Sequence, residues 1–243
     1  MRLHVDEVVI INLKRCPDRK AEIEFRCNKA GITEYKVLEA IDGDNLSLAY
    51  LKSKGIQVYG KWVNKKPEFD QFNNYYHRPI LKGEIACTLS HVKAWEYMVN
   101  NNLSRMLLLE DDACFRYDEF IPFVNDQLGI LDKKYRNWDL LYLGRKALQQ
   151  DKTLPEVHIN IPGYSWQSHA YILQLSGAHK LLAGEVHKSI IPIDEYLPVM
   201  NGSHVRFDLL NNWDRCEQLN SYTVDPLMIY QNPIYGISEI EIQ

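Results

Sequence analysis

Apolar residues along this chain fall into two kinds of run. The first is continuous: "EVVIINL" at residues 7–13, "MLLL" at 106–109, "WDLLYLG" at 138–144 and "HAYILQL" at 169–175. Runs of this kind, without polar alternation, predict strands covered on both faces, as in a parallel sheet held between helices. "EYKVLEAIDG" at 34–43 is a further strand that ends in a turn. The second kind is periodic. In "GEIACTLSHVKAWEYMVNNN", residues 83–102, Ile85, Leu89, Val92, Trp95 and Val99 follow at steps of 4, 3, 3 and 4, which sets them on one helical stripe. Pro17 and Asp18 open another helix, which Gly31 can close, and Ser176 caps a short one over 177–183. Strand, helix and strand at these spacings form parallel units. The expectation is a single α/β domain over residues 1–243, with a mostly parallel sheet flanked by helices.

One segment breaks the pattern. Residues 51–82 carry Tyr59, Trp62, Phe69, Phe72, Tyr75 and Tyr76 among Lys61, Lys65, Lys66 and Arg78, with little periodicity. A long irregular, aromatic stretch inside a compact domain is either a lid over a site or a small subdomain, and both readings stay open.

Composition narrows the function classes. Hydrophobic residues make up 46% and charged residues 25%, which supports a sizeable core. A net charge of −4 excludes broad electrostatic partnership with nucleic acid or an anionic membrane, while leaving room for a local basic pocket. No window approaches about 18 uncharged apolar residues, so no membrane-spanning helix is expected. The opening "MRLHVDEVVIINL" shows no apolar leader core or cleavage site, and the expectation is a cytoplasmic protein. The five cysteines are scattered, with no CxxC pair, and read as buried thiols.

The chemistry begins where "MLLL" runs into Glu110, Asp111 and Asp112. In open α/β sheets, ligands bind at the carboxyl ends of strands. Three adjacent carboxylates repel one another and resist burial unless a cation or donors compensate. Mn²⁺ or Mg²⁺ would resolve that conflict, since both take oxygen ligands and bridge substrate phosphates; a solvated acidic turn is the plainer alternative. Arg15 and Arg19, at the junction of the first strand and its helix, suit an anion. Asp42 ends the next strand, as a ribose ligand or as a turn residue. In "PIDEYLP", Asp194 and Glu195 stand between two prolines, either as a rigidly held general base or as acids at a helix N-terminus.

Taken in order, "INLKRCPDR", "EAIDG", "GEIACTLSHVKAWEYM", "LLLEDDACF", "WDLLYLGRK", "AYILQLSGAHKLL" and "IPIDEYLPVM" resemble glycosyltransferase family 25, which includes bacterial lipopolysaccharide glycosyltransferases and procollagen galactosyltransferases. The resemblance runs from about residue 7 to about residue 240. It implies a GT-A-like fold, a UDP-sugar donor, Mn²⁺ with Mg²⁺ as the alternative, and inverting transfer of galactose or glucose to a hydroxyl acceptor. That acceptor would be hydroxylysine in a collagen-like protein or a hydroxyl on a glycan. By the same resemblance, Asn12, Arg15 and Arg19 meet the nucleotide with Asp42 nearby, and Ser90 and His91 line the donor pocket. Asp111 and Asp112 hold the metal, Asp194 is the base, and Glu195 is the neighbouring candidate. Two positions depart from the relatives. The segment 229–241 has no histidine where the collagen branch carries one, so Gln231, Asn232 or water would take that place, with His204 in reserve; and a relatives' Ser-Asp is Ser238-Glu239 here. A non-catalytic binder of nucleotide-sugar or glycan, and a metal-dependent phosphohydrolase, are the competing readings.

Overall fold

The structure is a computed structural model and describes residues 1–62, 78–116 and 119–232. In chain order it contains β1 (Glu7–Asn12), α1 (Pro17–Lys29), β2 (Lys36–Glu39), α2 (Leu48–Ser53), α3 (Lys82–Asn100), β3 (Arg105–Glu110), β4 (Ala113–Phe115), α4 (Phe120–Lys134) and β5 (Leu140–Ala147). These are followed by β6 (Lys152–Thr153), β7 (Ile159–Ile161), β8 (Ser165–Gln174), α5 (Leu175–Ala183), α6 (Ile193–Met200), α7 (Phe207–Asn212), β9 (Ser221–Val224) and β10 (Ile229–Gln231).

The lack of alternation in the strands has a direct cause. Val8 and Ile10 of β1 join Leu107 and Leu109 of β3 in a core closed by Ile23 and Cys27 of α1 and by Val124, Leu128 and Leu131 of α4. Val9, Ile11 and Leu108 point the other way, into a core with Trp95 and Met98 of α3, Leu181 of α5 and Tyr196 of α6. Successive side chains alternate between faces, and because helices cover both faces every position is apolar.

The main sheet has the order β2-β1-β3-β8-β5-β9-β7-β6. β1 is parallel to β2 and β3, and β5 to β9; β8 runs against both β3 and β5, β7 runs against β9, and β6 against β7. Thus β1, β2, β3, β5, β6 and β9 share one direction and only β7 and β8 oppose it, so the sheet is mostly parallel and flanked by helices, the α/β architecture expected. The reversed β8 decides where the chemistry lies. Its register pairs Leu109 with Ala170, which brings the start of β8 to the place where β3 ends. A separate antiparallel pair, β4 with β10, sets Gln231 opposite Ala113 and so beside Asp112.

Some expected boundaries shift. α5 starts at Leu175, and Ser176 is not its cap; its hydroxyl donates to Asp139 at 2.7 Å, because that buried carboxylate also receives Lys180 Nζ and the Asn220 amide at 2.8 Å and holds the corner together. α3 buries more than a stripe: Thr88, Ser90, His91 and Ala94 are enclosed as well, since the helix is wedged between the sheet, α5 and α6. Among the described residues no helix is long and apolar enough to cross a membrane.

Within the aromatic segment, Tyr59 and Trp62 are core residues. Trp62 is 1% exposed, its ring lies 5.7 Å from the Arg206 guanidinium, and its carbonyl accepts from Arg206. Tyr59 donates to Asp208 at 3.1 Å. Phe69, Phe72, Tyr75 and Tyr76 lie outside the described residues. Trp62→Ala should therefore lower folding stability by about 3–5 kcal/mol, the usual cost of emptying a buried tryptophan site. Denaturant unfolding measures this, and an unchanged midpoint would show that Trp62 is not part of the core.

Candidate active site

The end of β3 is not a solvated turn. Asp111 is 5% and Asp112 3% exposed, and Glu110 lines the same cleft. Each acid is held differently. The β1–β3 register pairs Ile11 with Glu110, so Asn12 reaches Asp111: Asn12 Nδ2 donates to Asp111 Oδ2 at 2.7 Å and to the Cys16 carbonyl at 3.2 Å. Arg19, in the first turn of α1, donates to Asp111 Oδ1 and lies 3.7 Å from Asp112 Oδ2. Asp112 Oδ2 accepts from Gln231 Nε2 at 2.8 Å, and the Asp112 carbonyl accepts from the Asn232 amide. Asp112 Oδ1 is buried and has no hydrogen-bond partner among the described residues.

Glu110 is braced from behind. Trp95 Nε1 donates to Tyr171 Oη at 2.9 Å; the ionised Glu110 carboxylate can only accept, so in the neutral His91 ring it is Nδ1 that accepts from the Tyr171 hydroxyl, also at 2.9 Å. His91 Nε2 then carries the hydrogen that faces Glu110 Oε1 at 3.3 Å. Burial pushes Glu110 upward, but the His91 hydrogen bond leads the contacts that bring its carboxyl below the ordinary range. Cys87, His91 and Glu110 bring their ligand atoms within 4.8 Å of one another. With both ring nitrogens of His91 engaged, no lone pair there remains for a metal.

The facing wall is a distortion in β8. Between Gly144–Ala170 and Lys146–Trp166 the β5–β8 register slips, and Gln167 adopts a φ of 68°. Bulges of this kind re-aim side chains beside functional sites. Here Ser168 Oγ donates to Glu110 at 3.2 Å, the Ser168 amide donates to Asp194 Oδ1 at 2.9 Å, and Gln167 Nε2 donates to Gln231 Oε1 at 2.7 Å. Trp166, Ser168 and His169 all line the cleft.

Asp194 and Glu195, adjacent in sequence, part company in space. Both stand in the first turn of α6, so the helix N-terminus is real, but only Asp194 lines the cleft. Burial first, then the charge of Glu110, pushes Asp194 up to about 6 and Asp112 up to about 7. Glu195 is fully buried and turned away. It accepts from Tyr164 Oη at 2.7 Å and Trp166 Nε1 at 3.0 Å, and it pairs with His204, whose Nδ1 accepts from the Arg206 amide. His204, the reserve metal candidate, is thus committed to Glu195 and does not line the cleft.

The remaining positions form the rim. Arg15 donates to Asp42 at 2.8 Å; Arg15 lines the cleft, whereas Asp42 caps the turn that follows β2. Ser90 lines it too, with its Oγ accepting from the Ile41 amide at 2.8 Å. Arg78 makes a two-pronged pair with buried Glu84, at 2.9 Å for each bond. The cleft encloses about 440 Å³. A larger groove of about 650 Å³ lies at the opposite end of β1, but its acids are already engaged: Asp6 with the Ser104 and Arg105 amides, Glu7 with Tyr97, and Glu34 with Arg2.

Of the residues expected to form the site, Arg15, Arg19, Ser90, Asp111, Asp112 and Asp194 line the cleft; Asn12, His91 and Asp42 stand behind it, and Glu195 belongs to another network. Ser168, His169 and Trp166 were not anticipated. The only signal in the sequence was a histidine opening an otherwise apolar strand, and the bulge that aims it leaves no mark in the pattern.

The family model described as "Glycosyltransferase family 25 (LPS biosynthesis protein)" matches residues 5–197. Procollagen galactosyltransferase 1 from Danio rerio is 30% identical over 240 residues, 97% of this chain and 38% of that protein. A glycosyltransferase 25 family member from Drosophila melanogaster is 33% identical over 245 residues, 98% of this chain and 37% of that protein. The chain thus spans little more than a third of the length of these relatives. Among solved structures, an active-site mutant of LgtC is a loose likeness, with 12% identity and a TM-score of 0.40 over 93% of this chain and 87% of that one. The relatives also correct one expectation: matches named procollagen galactosyltransferase speak against the cytoplasmic assignment drawn from the first residues, which is withdrawn. With the profile covering most of the sequence and identity of about a third sustained from end to end, the chain belongs to glycosyltransferase family 25.

Proposed function

We propose that the cleft transfers a hexose from a UDP-sugar to a hydroxyl acceptor with the help of Mn²⁺ or Mg²⁺. The observation that carries this reading is Asp112 Oδ1, a buried carboxylate oxygen with no partner among the described residues, in the same cleft as Arg15, Arg19, Arg78, the buried Asp111 and the half-buried Asp194. A hard divalent cation fits that donor set, which is rich in carboxylate oxygen. Asp112 would hold it, with Asp111 beside it. When bound, the cation supplies Lewis-acid stabilisation of a diphosphate leaving group.

The chain's own residues supply the rest. Arg15 and Arg19 offer guanidinium groups to the diphosphate, with Arg19 exchanging its present contact with Asp111 for phosphate oxygen. Asp194, held by the backbone amide of Ser168, takes the proton from the acceptor hydroxyl. Its value of about 6 poises it as a base near neutral pH. Glu195 is not a second base in this scheme; it fixes Trp166, whose ring offers an apolar face to a sugar. Galactose is the first hexose to test and a hydroxylysine-containing collagen-like peptide the first acceptor, following the relatives' names.

Wild-type protein with Mn²⁺ and that peptide should release UDP from UDP-galactose. Asp194→Asn should reduce kcat by about 10²–10⁴-fold while UDP still binds, the usual contribution of a general base. UDP binding without release from either UDP-galactose or UDP-glucose would make the protein a non-catalytic binder, and release of inorganic phosphate would make it a phosphohydrolase.

A second prediction concerns stability in the absence of metal. Asp112 and Asp194 titrate higher in the folded chain than in the unfolded one, where aspartate lies near about 3.9. Their protonated forms therefore favour folding. That contribution is complete below the unfolded value and is lost as pH rises through about 6 for Asp194 and about 7 for Asp112. In chelator, the melting temperature should fall across this range. At a pH above it, Asp112→Asn should melt higher than wild type, by about 2–4 °C per kcal/mol recovered. A wild-type melting temperature that is flat with pH would contradict the buried-acid description.

A further inference from the structure

We propose that His169 is a protein ligand of the divalent cation, reaching the same ion as Asp112 from the opposite wall of the cleft. The proposal deepens the reading of the cleft as a metal and UDP-sugar site and rests on that reading.

His169 is 1% exposed, and neither ring nitrogen makes a hydrogen bond of ordinary geometry among the described residues. Buried polar side chains are almost always paired, and leaving one unpaired costs about 1–3 kcal/mol. Such a group is retained only where something absent from the bare chain satisfies it. Its position says what that is. His169 lies in the slipped stretch of β8 and lines the cleft together with Glu110, Asp111, Asp112 and Asp194. Asp112 Oδ1, a buried atom on the facing wall of the same cleft, is also an acceptor without a donor among the described residues. A carboxylate oxygen and an imidazole lone pair, both buried and both unpartnered in one acidic cleft, form the donor set of a divalent cation.

The neighbours are shaped to keep the ring in place. Gly144 faces it across the register slip, and a Cβ there would stand 2.3 Å from His169 Nε2 and 2.5 Å from the Ile229 carbonyl oxygen. Only glycine leaves room for the imidazole at that point. The Ile229 carbonyl, on the Nε2 side, is the natural acceptor for an Nε2 hydrogen, which would leave the Nδ1 lone pair for the ion. Metal-bound histidines commonly donate their second nitrogen to a backbone carbonyl in this way. Ile229 belongs to β10, whose Gln231 also orients Asp112, so one short strand supports both ligands. The nearby trio of Cys87, His91 and Glu110 does not compete, because His91 is spent on Tyr171 and Glu110.

The test is pulsed electron paramagnetic resonance of Mn²⁺ bound to the full chain in the presence of UDP, with Mn²⁺ affinity measured in parallel. The wild-type spectrum should show nitrogen coupling from a coordinated imidazole, and His169→Leu should abolish it and weaken Mn²⁺ binding at least about tenfold. The wild-type spectrum requires no variant, so a folding defect cannot hide the answer. The proposal is overturned if Mn²⁺ binds wild type and leaves Asp112→Asn while the spectrum lacks nitrogen coupling, or if the coupling survives in His169→Leu. If Mn²⁺ fails to bind wild type with UDP present, the metal reading of the cleft falls first and the proposal falls with it.

Discussion

The constraint that organises this molecule is electrostatic: three consecutive carboxylates stand at the buried end of a central strand. Water cannot screen Asp111 or Asp112 there, and mutual repulsion raises the cost of ionising them together. The surrounding structure answers unevenly. Asp111 is fully engaged by Asn12 and Arg19, and Glu110 by His91 and Ser168. Asp112 is only half satisfied, by Gln231, and the strain that remains is concentrated on one oxygen.

Three features of topology deliver the partners. The parallel β1–β3 pairing brings the β1–α1 junction, with Asn12 and Arg19, to the acids. The reversed β8 begins where β3 ends, so its bulge faces the acids and anchors Asp194 through the Ser168 amide. The small β4–β10 pair lowers Gln231 onto Asp112. None of these is a local property of the acidic motif, and each depends on contacts between segments far apart in sequence. The two cores on either side of the sheet hold that arrangement in register, because a slip of one residue would exchange the faces of every strand.

Much of this was legible in the sequence. Unalternating apolar runs identified the covered strands, the helix of residues 83–102 followed from its period, and the strand-end position of Asp111 and Asp112 pointed to the cleft that they line. What could not be read was direction and aim. Nothing in "SWQSHAYILQ" shows that this strand runs against its neighbours or that a register slip turns His169 inward. The proline-bracketed motif alone does not separate Asp194 from Glu195, and only the family resemblance put Asp194 first. Only the helix phase separates them, sending one to the cleft and the other to Tyr164, Trp166 and His204. Tyr59 and Trp62 likewise sat in an aperiodic stretch, and the ion pair of Arg206 with Asp208, far along the chain, is what draws them into the core.

The measurement that tests the central claim most directly is calorimetric titration of UDP into the full chain, with and without Mn²⁺, for wild type and for Asp112→Asn. A site whose unsatisfied acid awaits a cation and a diphosphate should bind UDP strongly only with Mn²⁺, and that metal-dependent part should vanish in the variant. UDP binding that is equal with and without Mn²⁺, or unchanged in Asp112→Asn, would contradict the assignment of the acidic strand end as the metal and diphosphate site.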